Sequence, residues 1–85
     1  MQPIVLVGHR HFCPIHGAGT VISGATNANV GDRAIARVGD KISCGAVIVS
    51  GSAVATIEGK SVARQGDTTS HGGTLIEGDS GWRVD

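Results

Sequence analysis

Residues 19–45, GTVISGATNANVGDRAIARVGDKISCG, recur 27 positions later as residues 46–72, AVIVSGSAVATIEGKSVARQGDTTSHG. The two stretches agree at turn residues as well as at apolar ones: Gly24 meets Gly51, and each stretch carries an Ala-Arg pair followed by Gly-Asp. A third, truncated copy starts at Gly73, where GTLIEG parallels AVIVSG. A unit of this length cannot bury an apolar face by itself, so the repeat predicts units that stack on one another.

Each unit has the pattern of short β-strands. VIV at 47–49 and TLI at 74–76 are short, mostly β-branched runs that soon meet a glycine. The pairs Gly31-Asp32 and Glu58-Gly59 are typical of two-residue hairpin turns, and each precedes a return strand, at 34–37 and 61–64. Nowhere is an apolar spacing of three and four residues sustained between helix caps. The sequence therefore predicts an all-β fold of short strands and hairpins.

The composition predicts one small domain, residues 1–85, with a thin core. The chain has one Phe, one Trp, one Met and no Tyr, so its apolar residues are mostly Ala, Val and Ile. Such side chains suit closely stacked β layers. Because a chain of this size has a marginal core, we expect an additional staple: a metal, a disulfide or a partner chain.

Charge argues against a nucleic-acid partner, and hydropathy argues against a membrane-spanning helix. Seven basic and seven acidic residues cancel without forming a basic patch, and there is no aromatic platform, which argues against nucleic acid. The apolar run at 4–7 is far shorter than the roughly 18–20 residues of a spanning helix, and the start of the chain does not resemble a secretory signal. We therefore expect synthesis in the cytoplasm without a signal peptide, and export by a route that needs none. In that reducing compartment, two cysteines near histidines indicate a metal before a disulfide.

Metal-binding residue types recur at one position of the repeat. The segment after Gly39-Asp40 ends at Cys44, the segment after Gly66-Asp67 ends at His71, and the segment after Gly8 near the start ends at Cys13. Thiolate and imidazole are both zinc donors, whereas Cys and His differ in volume and polarity, so packing explains the exchange poorly. His16 follows Cys13 by three residues and supplies a fourth ligand. Four protein ligands predict a closed, structural zinc site.

Other interpretations of the same residues remain open. His11 lies two residues before Cys13, on the same face of a strand, and competes for a place in the site. Cys13 and Cys44 can also be two small buried thiols or one disulfide. We interpret His9 as a solvated or hydrogen-bonded side chain, and the Gly-Asp pairs as turns rather than calcium ligands.

Several motifs in order resemble the PAAR-repeat family. They are HFCP at 11–14, ARVGDKISCG at 36–45, VSGS at 49–52, GKSVARQGD at 59–67 and TSHGG at 69–73. The chain has Ala-Ile-Ala-Arg where the family usually has Pro-Ala-Ala-Arg. The resemblance implies a small cone of short β-strands with approximate threefold symmetry, stapled by one zinc, or by iron, near the apex. Family members hold the metal through three histidines and one cysteine. The set that the repeat predicts, Cys13, His16, Cys44 and His71, has two cysteines and departs from that count, whereas His11 in place of Cys13 would agree with it. We expect one of these two sets, and the repeat favours Cys13.

The resemblance also implies a mechanical function and not an enzyme. Such a protein caps the trimeric β-helical spike, of the VgrG type, of a type VI secretion system, one tip per trimer. It is delivered with the spike, pierces the target membrane in a transient contact, and links effector proteins to the spike. The alternatives are the tip of a phage or pyocin tail spike and a small free-standing zinc-binding module. A metalloenzyme would need an open zinc position and a general base beside it.

Overall fold

The computed structural model describes residues 2–85, which form short strands and no helix. The strands are β1 (Gln2–Ile4), β2 (Arg10–Cys13), β3 (Gly17–Thr20), β4 (Asn29–Val30), β5 (Arg33–Ala34), β6 (Thr56–Ile57), β7 (Lys60–Ser61), β8 (Thr74–Leu75) and β9 (Asp79–Val84). The all-β prediction is confirmed. None of these described residues lies in a helix long and apolar enough to cross a membrane.

Hairpins form at the predicted turns. β4 pairs with β5 around Gly31-Asp32, and β6 pairs with β7 around Glu58-Gly59. Glu58 and Gly59 both have positive φ, 56° and 80°, as a type I′ turn requires, whereas in the first hairpin Gly31 has a positive φ of 62° and Asp32 does not, as in a type II′ turn. The runs at 47–49 and 61–64 are more irregular than predicted. Outside β7 they make only isolated bridges, such as Ile48 with Thr69 and Arg37 with Val62.

The third unit is assembled from both ends of the chain. β8 and β9 supply the half that corresponds to residues 46–57, and residues 2–13 supply the half that corresponds to residues 33–44. β1 and β9 pair antiparallel, with Gln2 opposite Val84. This two-stranded sheet takes the place that the hairpins β4–β5 and β6–β7 take in the other two units. The copy that is truncated in the sequence is therefore complete in space.

A closed ring of backbone hydrogen bonds joins the three units. The Val5 amide donates to the Ala63 carbonyl (3.0 Å), the Ala63 amide to the Ala36 carbonyl (2.9 Å), and the Ala36 amide to the Val5 carbonyl (2.8 Å). All three residues are fully buried. Because each unit donates to one neighbour and accepts from the other, the arrangement of the units is approximately threefold. The small side chains of Ala36 and Ala63 leave room for the three backbones to converge.

The core follows the same threefold pattern. Val21, Ile48 and Leu75 are spaced 27 residues apart, and all are buried in one cluster with the ring residues. A second cluster of Ile4, Leu6 and Val62 packs against partly buried residues of the hairpins and of β9. Both clusters are built from aliphatic side chains, so the core is as thin as the composition predicts.

Candidate metal centre

Three equivalent turns precede the metal-binding residues. Gly8, Gly39 and Gly66 adopt positive φ of 93°, 94° and 99°, which glycine adopts without a steric penalty. In two of the turns the next residue is an aspartate that accepts a backbone hydrogen bond from the residue three positions earlier. The Asp40 carboxylate accepts from the Arg37 amide, and the Asp67 carboxylate from the Arg64 amide, both at 2.7 Å. Each turn is thereby locked before the chain reaches its ligand.

His9 takes the role of aspartate in the first turn. Its Nδ1 accepts a hydrogen bond from the Leu6 amide at 2.9 Å, and the side chain is buried. Because Nδ1 accepts, the imidazole is neutral with its proton on Nε2. Burial, and then the nearby Arg33, lower the pKa of His9, while Glu77 and Asp79 oppose that shift. His9 is therefore a hydrogen-bonded side chain, as one of the two interpretations from the sequence predicted.

The ligands lie on loops that follow these turns. Cys44 and His71 occupy tight turns closed by Gly45 and Gly72, whose amides donate to the carbonyls of Ile42 and Thr69. Cys13 ends β2, and the turn to β3 at Gly17 is longer. Val21 follows Cys13 by eight residues, whereas Ile48 follows Cys44 by only four. This four-residue insertion carries His16, so the fourth ligand has no counterpart in the other units.

Four donor atoms converge where the three loops meet. The Sγ atoms of Cys13 and Cys44 and one ring nitrogen each of His16 and His71 all lie within 4.8 Å of one another. Cys13 Sγ is 3.6 Å from His16 Nδ1 and 3.7 Å from His71 Nδ1, and Cys44 Sγ is 3.9 Å from His71 Nδ1. Zinc bonds of about 2.0–2.3 Å place tetrahedral donors roughly 3.3–3.8 Å apart. These four residues, the ligand group, fit a tetrahedral metal ion.

The protonation of Cys13 suits a metal ligand. Burial raises the pKa of this thiol, but hydrogen bonds from the backbone amides of His16 and Ile15 and from the imidazoles of His71 and His16 outweigh burial and bring the pKa to about 6. At neutral pH the sulfur is therefore largely a thiolate, the form that binds metals. The side chain is fully buried, so bulk water does not solvate this charge.

His11 lies outside the ligand group. Its ring is fully buried, and Nε2 is hydrogen-bonded to Thr69 Oγ1 at 2.8 Å. Nδ1 has no hydrogen-bond partner among the described residues. Burial, and then the nearby His71, lower the pKa of His11. His11 is two residues before Cys13 on the same face of β2, so it belongs to the layer next to the ligands. The structure assembles the set with Cys13, and both cysteines are free thiols.

The two aspartates also tie neighbouring segments together, in contacts that were not predicted from the sequence. Ser23 donates to Asp40 and Ser50 donates to Asp67, each at 3.1 Å. Arg37 pairs with Asp40 and also with Glu58 on the turn of the next hairpin. The signal was present in the repeat, because Ser23 and Ser50 are spaced exactly like the aspartates they bind, by 27 residues.

The chemistry of the ligand group is that of a closed site. Two sulfurs and two imidazole nitrogens fill a tetrahedron, and no carboxylate of residues 2–85 joins the group. Such a set holds a metal ion tightly and ties together residues that are far apart in the sequence. The described residues can therefore act as a metal staple across all three units.

Comparison with known proteins agrees with this architecture. A family model described as the PAAR motif matches the chain over residues 1–50 and again over residues 16–77. No match among curated proteins was found. The PAAR motif is associated with the spike tips of contractile injection systems, and proteins that carry it typically sit on spike proteins. Because the two matches together span most of its length, the chain belongs to the PAAR-motif family.

Proposed function

We propose that this protein is the tip that caps the trimeric β-helical spike, of the VgrG type, in a type VI secretion system. The observation that carries the proposal is the closed ring of Val5, Ala36 and Ala63, which gives one chain a threefold axis. A single chain with three equivalent units matches the end of a trimer one to one, because each unit meets one spike subunit in the same way. A phage or pyocin tail spike offers the same symmetry.

The ion in this proposal is a structural zinc. Two thiolates and two imidazoles favour zinc over the hard cations, which prefer oxygen ligands. Cys13, Cys44 and His71 belong to different units, so one ion ties three loops together at one vertex. The proposal assigns no catalytic role to this site, because all four tetrahedral positions have a protein donor. A tip made stiff in this way withstands force better than its thin core alone.

The surface proposed to meet the spike lies on the hairpin side of each unit. There, a cleft of about 380 Å³ is lined by Ile57 and Val84, which are equivalent positions in two units, and by Val54 and Trp82. Val54 is 75% exposed and Trp82 is 59% exposed. None of these residues belongs to the ligand group. Exposed apolar side chains around a cleft are typical of a protein interface.

Binding to the spike tests this proposal. The purified spike protein and the tip are mixed, and the complex is weighed by light scattering after size exclusion; we expect one tip per spike trimer. Val54→Asp removes an apolar contact and adds a charge, so we expect it to weaken binding at least tenfold. Ile22→Asp is the matched control, because Ile22 is 55% exposed and does not line the cleft. Equal binding of the two variants, or three tips per trimer, contradicts the proposal.

Delivery follows from the same proposal. The tip is made in the cytoplasm, leaves with the spike and contacts the target membrane only during passage, and effector proteins ride with it by non-covalent binding. An experiment that tags the tip and assays the culture medium checks this step. Secretion that continues in a strain without the spike protein contradicts it.

A further inference from the structure

The two cysteines are far apart in the sequence but close together in the structure. Cys13 ends β2 and Cys44 lies in the loop of another unit, yet their Sγ atoms are within 4.8 Å of each other. Both are free thiols, and the chain has no other cysteine. A disulfide within the chain can therefore join only these two residues. The sulfurs need to approach to about 2 Å, so formation of the bond requires rotation of the two side chains and a shift of the loops that carry them.

The two thiols differ in access. Cys13 is 0% exposed, whereas Cys44 is partly exposed. A disulfide in solution, such as glutathione disulfide, therefore has better access to Cys44 than to Cys13. Thiol–disulfide exchange proceeds through a mixed disulfide, so the order of the two steps is set by this difference.

We propose that Cys13 and Cys44 are a metal-controlled redox pair that closes to a disulfide when the metal is absent and a low-molecular-weight disulfide is present. In the first step a bond forms between Cys44 Sγ and one sulfur of glutathione disulfide, the bond between the two glutathione sulfurs breaks, and the released glutathione carries away the Cys44 proton. In the second step the Cys13 thiolate attacks Cys44 Sγ and expels the second glutathione. The two cysteines lose two electrons and two protons in total, and glutathione disulfide becomes two glutathione thiols.

The disulfide replaces part of the metal staple. It keeps the link between two of the three units, while His16 and His71 are released from the vertex. It also removes both sulfur donors, so the oxidised chain binds zinc much more weakly. The inference rests on the cysteine pair and stands even if the chain caps no spike. Such a device lets the vertex survive loss of its metal in an oxidising compartment.

Mass spectrometry of the whole chain tests the pair. The metal-free protein, prepared with a chelator, and the zinc-loaded protein are each incubated with glutathione disulfide. We expect the metal-free chain to lose the mass of two hydrogens and the zinc-loaded chain to react at least about tenfold more slowly. A metal-free chain that keeps two free thiols, or that forms mainly disulfide-linked dimers, overturns the proposal.

Two serine variants test the order of the steps. Cys13→Ser keeps the exposed thiol but lacks the attacking one, so we expect a stable adduct of one glutathione on Cys44. Cys44→Ser keeps only the buried thiol, so its adduct forms at least about tenfold more slowly. Adducts that form at equal rates in the two variants overturn the proposal. Unfolding of the metal-free chain would expose both thiols equally and give equal rates, so it would also overturn the proposal.

Discussion

Replacing single ligands is expected to cost very different amounts of stability, although all four bind the same ion. Two consecutive loops of about 30 residues each lie between Cys13 and Cys44 and between Cys44 and His71. Closing a loop of this length is worth about 3.5 kcal/mol, so the ion contributes about 7 kcal/mol by cross-linking the three units. Without Cys44 one loop of about 60 residues remains, worth about 4 kcal/mol. Cys44→Ala therefore loses about 3 kcal/mol of the metal's contribution.

His16→Ala is the matched comparison. His16 lies three residues from Cys13, so the cross-link between units survives its loss. We expect this variant to need more zinc for saturation but then to keep nearly the whole contribution of the ion. The two substitutions therefore separate cross-linking of the units from simple coordination of the metal.

Thermal unfolding followed by circular dichroism measures the effect. Each variant is unfolded with saturating zinc and again with a chelator, and the difference isolates the contribution of the metal from the packing of the lost side chain. For a chain of this size, about 3 kcal/mol corresponds to roughly 12–24 °C in Tm. An equal loss in Cys44→Ala and His16→Ala would refute the cross-link argument. An unchanged wild-type Tm after chelation would refute the staple itself.

Three further predictions concern the turns and the closest backbone approach. Burial lowers the pKa of His9 in the folded chain, so the unfolded chain binds a proton more readily. The contribution of His9 to the free energy of unfolding is therefore complete above about pH 6.5 and is lost as the pH falls below that value. We expect His9→Asn to make this pH dependence shallower in denaturant titrations of the metal-free chain. Asp67→Ala removes a carboxylate that accepts hydrogen bonds from Arg64 and Ser50, so we expect a loss of about 3 kcal/mol in the same titration, against less than about 0.5 kcal/mol for the exposed Asp32→Ala. Gly73→Ala places a methyl group against the backbone of β2 and the buried His11 ring, so we expect a cost of about 3 kcal/mol. Gly45→Ala meets open space, so we expect a cost of only about 1 kcal/mol for its positive φ. Similar melting temperatures for the two variants would contradict a close approach at Gly73.

Turn chemistry and the ligand residue types were readable from the sequence because both are local. Gly31-Asp32 and Glu58-Gly59 carry their hairpin geometry in two residues, and they form the predicted turns. The exchange of Cys44 for His71 at one repeat position indicates a shared metal without any structure. Membership of the PAAR-motif family rests on the same ordered motifs.

Tertiary structure decided which residues meet. The sequence showed two and a half units, and only the pairing of β1 with β9 completes the third from both ends of the chain. It also left Cys13 and His11 as competing ligands, because residues two apart on a strand share a face. Pairing of β2 with β3 and β8 places Cys13 at the end of β2, where it meets the other loops, and leaves His11 inside the sheet and bonded to Thr69. Spacing along the chain determines which way a side chain points, whereas its distance from the metal depends on contacts between segments far apart in the sequence.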